Sequence, residues 1–76
     1  MNKTQLIDML DKHNVPAVSY SLSGIKDGEC LCLVQEGSLW KVIYNSRGSI
    51  IDVDNFESES KAYDFIYSEL KRQYKF

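Results

Sequence analysis

The sequence predicts an α+β domain: a short N-terminal helix, a four-stranded antiparallel meander and a C-terminal helix packed on the sheet, in the order α-β-β-β-β-α. Three observations predict it. Apolar residues recur at four-residue steps from Ala62 to Tyr74. Four β-rich runs precede them, about ten residues apart and separated by turn residues. A helical pattern opens the chain and stops before Pro16.

In chain order, residues 3–13 place Leu6, Met9, Leu10 and His13 at three- and four-residue steps, with Asp8, Asp11 and Lys12 opposite. Asn2 with Gln5 three residues later forms a capping box, and Asn14 suits the left-handed position after the helix. His13, at the helix end, is placed to complement the dipole or cap a carbonyl, a structural role. Residues 17–22 alternate, with Val18, Tyr20 and Leu22 on one face. The loop 23–28 carries Gly24 and the Asp27-Gly28 turn pair. Residues 29–35 are apolar on both faces, as an interior strand requires. Glu36-Gly37-Ser38 and Ser46-Arg47-Gly48 read as hairpin turns. Between them, residues 39–45 set Trp40, Val42 and Tyr44 against Lys41, Ile43 and Asn45, and residues 49–54 close the sheet with Ile50, Ile51 and Val53. Turns this short predict antiparallel pairing throughout.

The last helix is capped by Ser58, with Glu59 in its first turn. Ala62, Ile66, Leu70 and Tyr74 form its stripe, flanked by Phe65, Tyr63 and Tyr67. The apolar arc spans roughly half the circumference, wide enough to lie across a sheet. Two helices cannot cover both faces of a four-stranded sheet. With both on one side, the other face is expected to stay open to water or a partner, exposing Lys41, Ile43 and Asn45.

Composition bounds the function. Seventy-six residues, 43% hydrophobic and 26% charged, make one small domain over residues 1–76. Such a chain hides only about 60% of its unfolded surface, so it has little stability to spare. The net charge of −2 does not argue for nucleic acid or a membrane. No apolar run approaches the roughly 18–20 residues of a membrane span, and the N-terminus lacks the apolar core of a signal peptide. Cys30 and Cys32, two apart on one strand, lie roughly 6.5 Å from each other and read as small buried apolar groups in a reducing cytoplasm. No catalytic spacing of Ser, His and Asp, phosphate loop or metal-ligand motif occurs, so no enzyme, cofactor or metal site is expected.

Charge distribution says more than the total. Asp52, Asp54, Glu57, Glu59 and Asp64 lie within thirteen residues with only Lys61 among them, a local charge of −4. Helix-dipole logic explains Glu59 and the basic tail Lys71, Arg72 and Lys75. It does not explain Asp52 and Asp54. A patch of this sign suits a basic protein surface, such as the phosphate-binding cleft of a nuclease. Arg47, on a turn, can pair with this patch or with a partner carboxylate.

From Val15 to Ile66 the motifs run in a distinctive order: Val15-Pro16, Tyr20-Ser21-Leu22-Ser23-Gly24, Cys32-Leu33, Gly37-Ser38-Leu39-Trp40, Tyr44-Asn45-Ser46-Arg47-Gly48, Phe56-Glu57-Ser58-Glu59 and Ala62-Tyr63-Asp64-Phe65. In this order the chain resembles small bacterial immunity proteins of polymorphic and contact-dependent growth inhibition toxin systems. The resemblance implies a cytoplasmic protein that binds a cognate toxin domain, often a nuclease, and masks its active site. Two other readings carry different tests. A module similar to double-stranded-RNA-binding domains wants a basic first turn on the last helix, where this chain has Glu57, Glu59 and Asp64 around Lys61. A homo-oligomeric adaptor would use the open sheet face against itself. The sequence leaves monomer and homodimer equally open.

Overall fold

The computed structural model describes all residues from Met1 to Phe76. Its elements run α1 (Lys3–Lys12), a single 3-10 turn (Ala17–Ser19), β1 (Tyr20–Ser21), β2 (Glu29–Glu36), β3 (Leu39–Ser46), β4 (Ser49–Phe56) and α2 (Glu59–Tyr74). The α+β class and the element order are those the sequence predicts, and the strands lie side by side as β1-β2-β3-β4.

Both helix starts follow from local chemistry. The Asn2 side chain accepts from the Gln5 amide at 2.8 Å while the Gln5 side chain accepts from the Asn2 amide at 2.9 Å, a complete capping box. Ser58 accepts from the Lys61 amide to start α2. Asn14 takes φ 58° just beyond α1, the left-handed turn that redirects the chain toward Pro16. The His13 ring stacks on Phe76 with centroids 4.1 Å apart, tying the end of α1 to the end of α2.

Both helices lie on one side of the sheet. Leu6 and Leu10 from α1, Ala62, Ile66 and Leu70 from α2, and Leu31, Leu33 and Val42 from the sheet form one buried cluster. Burying each large side chain contributes about 1.5–3 kcal/mol, which is how so short a chain holds together. Trp40, Tyr44 and Phe56 pack around the margin.

The sheet departs from the predicted meander at its first strand. β2, β3 and β4 are antiparallel, but β1 pairs parallel with β2, Tyr20 beside Leu31 and Ser21 beside Cys32. The run 17–22 is not one strand. Pro16, at φ −63°, is followed by a tight turn in which the Ser19 amide donates to the Pro16 carbonyl, and Val18 points into solvent. With β1 only two residues long, the chain retreats a short distance to start β2, and seven loop residues span it. Parallel connections ordinarily need a dozen or more because their strands are longer.

That return path also closes the face expected to be open. The Lys26 carbonyl accepts from Asn45 Nδ2 at 2.7 Å and from the Cys30 thiol at 3.4 Å, while Lys26 Nζ donates to the Ala17 carbonyl at 3.0 Å. The loop thus lies across the second face, over a small core of Cys30, Cys32 and Ile43. Ile43 and Asn45 are buried rather than exposed. Lys41 alone stays part-exposed, between Glu36 at 3.7 Å and Asp52 at 3.4 Å.

Candidate binding surface

The long free edge of the sheet is β4. Its eight residues pair with β3 on one side only, and all but Phe56 are exposed. Ile50, Ile51 and Val53 are 45%, 53% and 40% exposed. The reason is coverage. α2 leaves the end of β4 beside Phe56, whose ring meets Phe65 at 5.3 Å, and its far end reaches the 3-10 turn before β1, where the Tyr74 hydroxyl hydrogen-bonds Ser19. The start of β4 is left without a helix over it.

A bulge divides the strand. Asp54 lies opposite Val42 and Asp52 opposite Ile43, leaving Val53 without a partner. A bulge turns consecutive side chains toward the same side. Cross-strand partners share a face, so Asp54 sits with Val42 on the helical side and Asp52 with Ile43 on the other. The two aspartates, separated in the sequence by Val53 alone, are therefore on opposite faces.

The remaining predicted residues separate further. Glu59 accepts from the Tyr63 hydroxyl at 2.9 Å. Asp64 pairs with the N-terminal amine at 2.7 Å, and Ser60 accepts from the same amine. Asp52 has Lys41 as its counter-ion, and the Asp54 carboxylate accepts from the Asn55 amide. Glu57 is exposed at the corner between β4 and α2. Arg47 lies at the other end of β4, in the β3–β4 turn. It reaches Glu29 at 3.7 Å rather than the acidic run. Asp54, Glu57 and Glu59 are thus the members of the patch with no cationic partner.

The uncovered corner also forms a groove that sequence reasoning did not find. Leu31, Tyr44 and Val53 meet Glu69, Arg72 and Gln73 of α2 around a volume of about 390 Å³. Arg72 and Glu69 pair with each other along its rim at 2.6 Å. Arg72 was legible as part of the basic tail; that it faces a strand lacking its cover was not.

Two buried acids are held neutral. Burial, then the hydrogen bond to Glu59, pushes the Tyr63 phenol up to about 12. Burial, then the neighbouring Cys32 thiol, pushes Cys30 up to about 11. The two sulfurs are 3.5 Å apart and unbonded. A thiol held protonated is a weak nucleophile and a weak metal ligand, so Cys30 reads as packing. No helix is long and apolar enough to cross a membrane. Searches of protein-family models, curated proteins and solved structures find no match to this chain.

Proposed function

We propose that this protein is a cytoplasmic immunity protein that binds a cognate bacterial toxin domain, a nuclease, and neutralises it by masking its active site without catalysis. The observation that carries the reading is the corner where β4 runs into α2. Asp54, Glu57 and Glu59 stand there without cationic partners, beside an exposed apolar strand. Carboxylates beside exposed apolar area supply what a basic, phosphate-binding cleft needs: long-range steering from the charges and burial for lifetime. The resemblance of the motif order to immunity proteins supplies the partner class.

Co-expression with the toxin encoded beside it tests the reading, with growth as readout and mixing of the purified pair as control. Protection and a stoichiometric complex are expected. Replacing Asp54 and Glu57 together with Lys should slow association about tenfold or more at low salt, with a smaller effect at high salt. Failure to protect, together with failure to form a complex, overturns the proposal.

A further inference from the structure

We infer that the cavity between β2 and the starts of α1 and α2 is a binding site for a free apolar α-amino acid, held by both of its charged ends. The site goes beyond the immunity reading and needs no toxin. Its volume is about 440 Å³, and Leu22, Leu33, Trp40 and Tyr63 supply apolar wall. Small-molecule sites are of this kind, mostly apolar with a few polar groups that fix orientation. Lys3 and Glu59 also line the cavity, and neither takes part in an ion pair. The Glu59 carboxylate holds only the Tyr63 hydroxyl, at 2.9 Å.

The edge of β2 adds the backbone groups such a ligand needs. β1 pairs along that edge only as far as Cys32, and the Gly24 amide then donates to the Leu33 carbonyl at 3.0 Å. A strand residue turns its amide and carbonyl to the same side, and the side alternates along the chain. Leu33 therefore points its backbone groups away from β3, and so does Gln35. No strand lies beyond Gln35, whose amide and carbonyl face the cavity edge without a partner. The amide suits a carboxylate and the carbonyl an ammonium. Charge then selects the occupant. A ligand of a single charge would leave either Lys3 or Glu59 facing a like charge. An amino acid answers both, its carboxylate toward Lys3 and the Gln35 amide, its ammonium toward Glu59 and the Gln35 carbonyl. Its side chain is left to Leu22, Leu33 and Trp40, which favour an apolar one.

Trp40 is the one tryptophan of the chain, so its emission reports on the cavity directly. Titration of the purified protein with L-leucine to about 10 mM should move that emission or the Gln35 amide resonance to saturation. N-acetyl-L-leucine lacks the ammonium and L-leucinamide lacks the carboxylate, and each should bind about tenfold more weakly. L-aspartate keeps both ends but has no apolar side chain, and it too should bind about tenfold more weakly. Glu59→Gln leaves an acceptor for the Tyr63 hydroxyl, and Lys3→Gln falls at an exposed helical position. Both variants should keep the far-UV spectrum of the wild type and lose about tenfold in leucine affinity. Failure of both signals to saturate, a blocked derivative or aspartate that binds as tightly as leucine, or a folded variant that binds leucine like the wild type would each overturn the inference.

Discussion

Asn45 is a buried polar side chain with two backbone partners. Its amide donates to the Lys26 carbonyl at 2.7 Å and its oxygen accepts from the Gly48 amide at 2.9 Å, and the residue is only 2% exposed. It therefore fixes the crossing loop and the β3–β4 turn at once. Asn45→Ala leaves two backbone groups without partners in a place water reaches poorly, so the expected loss is about 2–3 kcal/mol in denaturant unfolding. Asn45→Asp should lose nearly as much, since a carboxylate accepts from Gly48 but repels the Lys26 carbonyl. The alternation of β3 places Asn45 opposite Trp40 and Tyr44, and that much is readable from the sequence. Its burial is not, because the loop that covers it arrives from nineteen residues away.

Among the elements, the two hairpin turns show how far local chemistry carries. Gly37, at φ 63°, takes the first turn without strain. In the second, Arg47 at φ 52° and Gly48 at φ 93° both lie at positive φ, the conformation of a two-residue turn that favours Asn-Gly. An arginine there costs roughly 1 kcal/mol in backbone strain. Arg47→Asn should therefore stabilise the monomer by about 0.5–1 kcal/mol in thermal or denaturant unfolding at low concentration. The position of this turn was legible from Gly48, but the strain at Arg47 was not. The helices were more legible still: Asn2, Gln5 and Ser58 do in the structure what their spacing implies. The run 17–22 misled because two or three alternating residues fit a turn as well as a strand, and Pro16 decided for the turn.

At the scale of the whole molecule, the fold is two unequal cores on either side of one sheet. The larger is roofed by both helices, and the smaller, of Cys30, Cys32 and Ile43, only by the crossing loop. The roof of the smaller core has no regular secondary structure and its Ile25 is exposed. It should lift without global unfolding. Thiol labelling of Cys30 and Cys32 should accordingly proceed through a local opening whose rate depends weakly on denaturant. Asn45→Ala should accelerate it. Labelling with the steep denaturant dependence of complete unfolding would show instead that loop and sheet open together.

The sequence by itself determined the α+β class, both helices with their caps, the three long strands and the faces of β3, because each depends on residues within a turn or two of one another. Only the tertiary structure decided the direction of β1, the loop over the second face and the scattering of the acidic run. Asp52 and Asp54 fall on opposite sides because of a bulge that exists only in pairing with β3, and Asp64 meets an N-terminal amine brought to it by packing. Such outcomes follow from which distant segments cover which surfaces, and that competition for burial is settled only when the whole chain is in place.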